Sequence, residues 1–402
     1  MATEAFIFDA VRTPRGRGRT DGALHEVKPV HLLGAMLEAL QLRNDLDTDL
    51  VQEVVVGVVN PLGEQGSVIA RSSSLLKGWS DKVTGLQVNR FCASGLEAIN
   101  IAAAKVIAGQ VDLTVAGGVE MMSRVPMGSD GGPWAEDIET SVHTKFVPQG
   151  ISADIIATVD GWSREQVDCF AMRSHRLAAE ASRNGHFSKS VVPVTDANGL
   201  TILAKDELIR ENTNLEALGN LKPSFAGLGE AGFDEIAMAR YPNLGAVNHV
   251  HTAGNSSGIS DGAALVLIGS AEAGKKAGLT PRARIVSGVT TGGDPTIMLA
   301  EPAPATRTLL RRLHLKTDAI DLFEVNEAFA AVVLRFIREL DVDPEKVNVN
   351  GGAIAMGHPL GATGAVLIST LLDELERRDQ KNGLVTLCAA GGMGIATMIE
   401  RV

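Results

Sequence analysis

The stretch NRFCASGLEAINIAAAKVIAGQVDLTVAGG, residues 89–118, contains the structural unit that decides the fold of this chain. Its alanine-rich part, residues 93–110, carries apolar residues near a 3.6-residue spacing, which predicts a helix that ends at Gly109. An apolar strand at 112–123 then enters a double glycine, and a β-branched run at 51–59 predicts a buried strand upstream. Strand, helix and strand in this order predict an α/β fold with buried, largely parallel strands.

The C-terminal part of the chain repeats this pattern. Residues 321–340 read as strand, turn and helix, and residues 361–378 as a helix that begins with glycine. Residues 383–400 then read as a strand, a glycine turn and a second strand. Both parts run from small-x-Gly through a helix and a strand to a double glycine, which predicts an internal duplication.

The residues between the two parts, 120–250, have a different character. Residues 124–140 are rich in turn formers and predict a loop. Residues 163–185 begin with an N-cap serine and end at Asn-Gly, which predicts a helix. Residues 203–225 look helical and then extended. The sequence therefore predicts an inserted loop domain that lies over one face of the core.

The composition limits the classes of function. The 402 residues carry a net charge of −11, which argues against nucleic acid as the main partner. Three cysteines in a long chain favour a reducing compartment, and no CxxC or HExxH spacing indicates a metal site. The N-terminus predicts a strand at 5–8 rather than a cleaved leader, and no apolar run reaches the roughly 18 residues of a membrane span. We therefore expect a cytoplasmic protein.

Four glycine-framed stretches contain residues that are able to carry chemistry. Cys92 lies at a strand-to-helix junction, where backbone N–H groups and the helix dipole favour a thiolate and an adjacent oxyanion. His358 lies in a small-residue loop, where an imidazole is able to act as a base or a hydrogen-bond donor. Asn326 and Cys388 each follow or end an apolar strand, the position at which sites assemble in α/β sheets.

Each of these residues also has a purely structural interpretation. Cys92 and Cys388 fit as small buried residues, Asn326 as a helix cap, and His358 as a surface loop histidine. The third cysteine, Cys169, lies mid-helix and is interpreted as structural, and we expect His175 in the same helix to be exposed or to line a pocket. Two thiols and one imidazole in glycine-framed turns favour an acyl-transfer site in which one thiol is acylated and the other moves a proton at an α-carbon.

The chain resembles the thiolases over essentially its whole length. The motifs DAVRTPRGR (9–17), NRFCASGLEAI (89–99) and TAGNSSGISDGAA (252–264) resemble thiolase signatures. So do NEAFA (326–330) and the segment 350–394 that contains GGAIAMGHPLGATG and CAAGGMG, in the family's order. The resemblance implies a duplicated βαβ core of five layers, α-β-α-β-α, with an inserted loop domain. It implies the domains 1–119 plus 250–272, 120–249, and 273–402.

The resemblance also implies a role for each site residue. Cys92 would be the acylated nucleophile, His358 would activate it, and Asn326 would position a water in a first oxyanion hole. Cys388 would be the acid and base at the α-carbon. The backbone N–H groups of Cys92 and Ala390 would form a second oxyanion hole, in which alanine is strained only if its φ must be positive.

Coenzyme A would be a co-substrate rather than a permanently bound cofactor, and the resemblance implies no metal. Ser257 would contact its pantetheine, Arg210 would lie near its nucleotide end, and Phe329 would line the substrate site. The expected partners are acyl-CoA, CoA and a second copy of the chain, in a homodimer or dimer of dimers.

The stretch FVPQGISAD (146–154) departs from the His-Met-Gly of acetoacetyl-CoA thiolases and favours 3-ketoacyl-CoA thiolysis in fatty-acid β-oxidation. The features GISAD, RSHRLA and CAAGG resemble thiolase subunits of trifunctional complexes, which leaves a hydratase/dehydrogenase partner and membrane association open. The alternatives are a biosynthetic acetoacetyl-CoA thiolase and a non-catalytic lipid-binding or scaffold relative. A ketoacyl synthase, with one cysteine and two histidines, is disfavoured by Cys388.

Overall fold

The computed structural model describes residues 3–402 of the chain. The strands are β1 Ala5–Arg12, β2 Gly16–Arg17, β3 Glu53–Gly57, β4 Thr84–Val88, β5 Leu113–Met121, β6 Val194–Thr195, β7 Thr201–Leu203, β8 Ser260–Gly269, β9 Ala283–Gly292, β10 Leu322–Val325, β11 Asn382–Ala389 and β12 Met393–Arg401. The helices are α1 Pro29–Arg43, α2 Ile69–Leu76, α3 Ser94–Ile107, α4 Pro133–Glu136, α5 Ile138–Thr144, α6 Gln149–Asp160, α7 Arg164–Arg183, α8 Leu215–Gly219, α9 Ala226–Leu228, α10 Asp234–Arg240, α11 Ala271–Lys276, α12 Pro302–Arg312, α13 Ala330–Leu340, α14 Ala353–Met356 and α15 Thr363–Arg377.

The two halves of the core have the same strand order. The N-terminal half runs β3-β5-β8-β1, with β4 beside β3, and the C-terminal half runs β10-β11-β12-β9. In each half the first pair is parallel and the next two pairs are antiparallel. This agreement of order and direction supports the duplication that the sequence predicts. The expectation of largely parallel strands was wrong, because a strand buried on both faces has the same apolar pattern in either direction.

The halves meet along β1, where residues 5–7 pair with residues 283–285 of β9 and join the strands of both halves into one path, while β6 and β7 form a separate small sheet. The helices α3 and α15 pack on each other and on strands of both halves, and their apolar side chains form a core between them. The helices α1 and α2 cover the outer face of the N-terminal half, and α12 covers that of the C-terminal half. The five-layered α/β fold is thereby confirmed.

The inserted region is less regular than its sequence suggested. The helix predicted at 163–185 is α7, and Ser163 and Gln166 form the predicted capping box at its start. The loop predicted at 124–140 contains the short helices α4 and α5, so that prediction was incomplete. The helical interpretation of residue 203 onward was wrong, because β7 ends at Leu203, turns follow, and only α8 is helical there. The division of the chain into three domains stays a prediction.

Candidate active site

Cys92 lies in a tight turn between β4 and α3. Phe91, directly before it, has a φ of 46°, a left-handed backbone that costs a bulky residue about 1 kcal/mol or more. The Oγ of Ser94 holds this turn, since it donates to the Phe91 carbonyl at 2.6 Å and accepts from the Arg90 N–H at 2.8 Å. The turn places Cys92 two residues before the first residue of α3, with 4% of its surface exposed.

His358 is fixed by hydrogen bonds to both of its ring nitrogens. Its Nδ1 lies 2.6 Å from the Thr363 Oγ1, and that hydroxyl donates to the Pro359 carbonyl at 2.9 Å. The hydroxyl proton is thus committed, so the Nδ1 of a neutral imidazole must carry a proton and donate to Thr363. The Nε2 is then free of a proton, and it lies 3.3 Å from the Nδ2 of Asn326, which donates to it.

Asn326 and Cys388 are brought together by the parallel pair β10 and β11. The backbone N–H of Asn326 donates to the Thr386 carbonyl at 3.0 Å, two residues before Cys388. The Oδ1 of Asn326 is buried and has no hydrogen-bond partner among residues 3–402. A buried amide oxygen without a partner is costly, so this atom is suited to receive a hydrogen bond from a water or ligand.

The turns that carry Cys92 and His358 lie in direct backbone contact. A Cβ added to Gly118 would lie 1.8 Å from the carbonyl oxygen of Gly361, and one added to Gly95 would lie 2.4 Å from the same atom. Only glycine allows the end of β5, the start of α3 and the turn after His358 to approach this closely. The small residues of both motifs therefore serve the convergence of the two turns.

A buried carboxylate ties these turns to the sheet. The Oε2 of Glu120 accepts from the N–H groups of Val59 and Gly361, each at 2.9 Å. Its Oε1 accepts from the Asn60 N–H at 3.1 Å and from the Gln65 Nε2 at 2.9 Å. Burial raises the pKa of Glu120, and these four hydrogen bonds oppose that rise. Glu120 thus supports the Gly361 turn from behind the site.

The electrostatics of the site favour uncharged groups. Burial raises the pKa of Cys92 to about 11, although an interaction with the Gln149 side chain partly opposes it. The expectation that the helix start favours the thiolate was therefore wrong, because burial outweighs it. Burial, and then the nearby Cys92, raise the pKa of Cys388 further. Burial, and then the charge of Arg15, lower the pKa of His358 to about 3.

Ala390 does not have left-handed backbone, and the positive φ values fall on the next two residues, Gly391 at 75° and Gly392 at 77°. Alanine at this position is thus unstrained and keeps its N–H.

Two of the expected substrate contacts lie beside this site. Ser257 donates its backbone N–H to the Ala328 carbonyl at 2.9 Å, and Ser256 makes a β-bridge with Phe329. The next residue, Gly258, accepts the N–H of His358 at 2.9 Å. Ser257 is therefore one residue from the carbonyl that accepts the His358 N–H, and Phe329 lies across the β-bridge from the residue before Ser257.

Arg210 lies at the protein surface beside α7. It is exposed and lies in an irregular segment rather than in the expected helix. Its backbone N–H donates to the Nδ1 of His175 at 3.1 Å. Only 5% of His175 is exposed, so the expectation of an exposed histidine was wrong, and a pocket-lining position stays a prediction. Burial, and then the charge of Arg210, lower the pKa of His175 to about 4. Cys169 is half-buried on α7, and its structural interpretation stays a prediction.

The comparisons with known proteins agree over the whole chain. The model of the thiolase N-terminal domain matches residues 5–232, and that of the thiolase C-terminal domain matches residues 279–401. This chain belongs to the thiolase family. The thiolases are acyltransferases that use CoA as a substrate, so the protein is an enzyme of that class.

Several relatives span nearly the full length of this thiolase. It is 42% identical to the β-ketoadipyl-CoA thiolase of Pseudomonas aeruginosa, over 100% of both chains. It is 41% identical to the 3-ketoacyl-CoA thiolase of Marinobacter nauticus, over 99% of this chain and 98% of the relative. The crystal structure of the Bacillus anthracis acetyl-CoA acetyltransferase superposes with a TM-score of 0.86 at 35% identity, covering 100% of this chain and 99% of the other.

Residues 3–402 contain no candidate for a membrane-spanning helix or for a metal-binding cluster. No helix there is long and apolar enough to cross a membrane. No group of three or more histidine, cysteine or acidic side chains in that range is able to hold a metal ion.

Sequence reasoning missed three residues that shape the site. Glu120 follows the double glycine of β5, Thr363 lies five residues after His358, and Arg15 lies within the motif at 9–17. A lone acid in an otherwise apolar strand signals Glu120 to some extent, because a buried charge requires several donors. Thr363 and Arg15 have no comparable signal, since their partners follow from the fold.

Proposed function

We propose that this thiolase cleaves 3-ketoacyl-CoA to acetyl-CoA and an acyl-CoA shortened by two carbons, in fatty-acid β-oxidation. The observation that carries the proposal is the hydrogen-bond chain through Thr363, His358 and Asn326. It leaves an unprotonated Nε2 in a buried site that also contains two neutral thiols. A neutral base and two thiols are what an acyl transfer coupled to α-carbon protonation requires.

In the first half-reaction the Nε2 of His358 takes the proton of Cys92, and the sulfur attacks the 3-keto carbon. The C2–C3 bond then breaks, its electron pair passes to C2 of the departing acetyl-CoA, and Cys388 gives its proton to that carbon. A raised thiol pKa suits this step, because the thiol stays protonated until the carbanion equivalent forms.

In the second half-reaction a CoA thiol gives its proton to the Cys388 thiolate and attacks the acyl-Cys92 thioester. The shortened acyl-CoA leaves, and the Cys92 thiolate recovers its proton from His358. The Asn326 Oδ1, through a water, and the N–H groups of Cys92 and Ala390 would stabilise the oxyanions of these steps.

A series of 3-ketoacyl-CoA substrates, with acyl chains of four, eight and sixteen carbons, tests the proposal. The thiolysis rate is measured for each substrate. In a separate sample without added CoA, the mass of the peptide that contains Cys92 is measured by mass spectrometry. We expect an adduct two carbons shorter than the substrate, and none in Cys92→Ala. Activity with the four-carbon substrate alone would favour the biosynthetic acetoacetyl-CoA reaction. No adduct, despite bound acyl-CoA, would favour the non-catalytic alternative.

A second candidate substrate is a 3-ketoacyl-CoA whose acyl chain ends in a carboxylate. It is favoured by the 42% identity to a relative named for β-ketoadipyl-CoA. The same assay with 3-oxoadipyl-CoA separates the two candidates, since a pocket for an alkyl chain disfavours a buried carboxylate.

The assembly and location of the enzyme are also proposals. We infer a homodimer or dimer of dimers, and we propose a cytoplasmic location because the chain has few cysteines and an acidic composition. CoA would lie against a loop domain at 120–249, with Arg210 of that domain near its nucleotide end and Ser257 of the N-terminal half at its pantetheine. Sedimentation of the purified chain, with and without a hydratase/dehydrogenase chain, tests whether a second kind of subunit is needed.

A further inference from the structure

Two buried arginines share one carboxylate next to the His358 turn. The side chains of Arg12 and Arg15 are 0% and 3% exposed, and that of Asp206 is 3% exposed. Asp206 accepts two hydrogen bonds from the Arg12 guanidinium, at 2.8 and 3.0 Å. It also accepts the Arg15 backbone N–H at 2.8 Å and the Arg15 Nε at 3.3 Å. Arg12 therefore binds the Asp206 carboxylate in a bidentate manner, whereas Arg15 binds it through only one edge of its guanidinium.

The other edge of Arg15 is bound to the turn that contains His358. Its Nη1 donates to the Gly357 carbonyl at 3.2 Å, and its Nη2 lies 2.8 Å from the Met356 Sδ. Gly357 has a φ of 97° and directly precedes His358. The peptide that leads into His358 is thus held by a buried cation, while the N–H of His358 is held by the Gly258 carbonyl.

The carboxylate that anchors Arg15 comes from the inserted region. Asp206 lies in the turns between β7 and α8, and Glu207 beside it accepts the backbone N–H of Arg17 at 2.7 Å. Leu208 occupies the space on which a Cβ at Gly258 or Gly357 would encroach. The segment 206–208 therefore packs on the His358 turn and on the residue that follows Ser257.

We propose that Arg15 is a positioning residue for His358, which it holds in place through Gly357 while Asp206 of the inserted region orients its guanidinium. The proposal rests on the proposed function in that His358 is taken as the base. The charge of Arg15 adds to the effect of burial in lowering the pKa of His358. The other ionisable groups around this turn include Cys92 in the adjoining turn, Glu120 on β5, Asp261 on β8 and Glu324 on β10, and burial raises the pKa of all four.

The test compares Arg15→Met with Arg15→Lys. Both keep the backbone N–H bond to Asp206 and leave its bidentate bonds from Arg12, so the buried carboxylate stays paired. Arg15→Lys keeps the charge and loses the planar fork that spans Asp206 and Gly357. The matched control is Arg17→Met in the same segment, because the Arg17 side chain is 43% exposed and contacts only Asp21 among its charged neighbours.

Three quantities are measured for each variant: kcat and KM for thiolysis, the rate of Cys92 alkylation by iodoacetamide against pH, and Tm. We expect Arg15→Met to lower kcat about tenfold or more and to leave KM nearly unchanged, since misplacing a catalytic group by about 1 Å costs up to about 100-fold. In Arg15→Met the acidic limb, at which protonation of His358 stops it from assisting alkylation of the neutral Cys92 thiol, will move to higher pH, because an imidazole without the neighbouring cation protonates more readily. In Arg15→Lys the limb stays near that of the wild type while kcat still falls.

The proposal is overturned if Arg15→Met lowers Tm but keeps the wild-type kcat and the wild-type acidic limb, or if Arg17→Met has the same effects. If Arg15→Met does not fold, Arg15→Lys carries the test, and a wild-type kcat in that variant overturns the proposal. Alkylation of Cys92 needs no substrate. A wild-type chain that alkylates with the expected profile but does not cleave 3-ketoacyl-CoA would therefore refute the proposed function and leave the role of Arg15 intact.

Discussion

Gly118→Ala is the substitution whose effect follows most directly from the structure. The new Cβ would lie 1.8 Å from the Gly361 oxygen, 2.5 Å from the Gly361 carbonyl carbon and 2.8 Å from the Gly57 oxygen. All three atoms are backbone, so no side chain is able to move aside. Reaching even 3.0 Å requires the Gly361 carbonyl to shift by about 1.2 Å, and this carbonyl belongs to the turn between His358 and α15.

We expect this shift to lower kcat by about 100-fold, the usual consequence of a 1 Å displacement of a catalytic group. Overpacking of this kind also lowers the free energy of unfolding by about 1–3 kcal/mol. Steady-state thiolysis and urea denaturation measure the two effects. Gly219→Ala is the control, because a Cβ there meets no atom within 4 Å and its backbone is not left-handed. A Gly118→Ala enzyme with wild-type kcat and stability would show that the two turns are not packed as described.

Four further results are expected. The Cys388→Ser enzyme will still accept an acyl group from acyl-CoA onto Cys92, but it will not cleave 3-ketoacyl-CoA, because the serine hydroxyl is a far weaker acid than the thiol. Mass spectrometry measures the first step and thiolysis rates the second. Cleavage at the wild-type rate would refute the role of Cys388. Because burial and Arg15 lower the pKa of His358 to about 3, the wild-type kcat profile will have no acidic limb near pH 6.5. For the same reason the contribution of His358 to stability, present above pH 6.5, will be lost as pH falls toward 3, since the unfolded chain binds a proton that the native chain does not. Urea denaturation of the wild type and of His358→Gln across this pH range measures the change in the free energy of unfolding. Ala390→Gly will change kcat by less than about twofold because Ala390 is not left-handed, and a gain of about tenfold would contradict that backbone assignment.

The sequence predicts the residues that are proposed to carry the chemistry better than it predicts the residues that hold them in place. Cys92, His358 and Cys388 are each marked by glycines, because backbones that approach closely need residues without a Cβ, and that requirement is local. Arg15 and Glu120 act through partners 342 and 241 residues away, and only the folded chain brings these together. The mixed direction of the strands was missed for a similar reason, since pairing direction depends on connections and not on the residues of one strand.

The same limit applies to the ionisation of the site. From the sequence, the helix that begins at Ser94 favours a Cys92 thiolate, whereas the structure buries that thiol almost completely. Burial raises the pKa of Cys92 to about 11, and burial and then the charge of Arg15 lower that of His358 to about 3, so both groups favour their uncharged forms in the resting enzyme. The resting pair is therefore neutral.

Under the proposed mechanism, a neutral resting pair means that the Cys92 thiolate forms together with its attack on the substrate. The negative charge that develops on the thioester or keto oxygen offsets the cost of the imidazolium, provided that this oxygen lies against the donors of the oxyanion holes. Placement of the His358 ring then matters more than its proton affinity. A site that works in this way needs the rigid support that Thr363, Asn326 and the Arg15 contact to Gly357 give the imidazole.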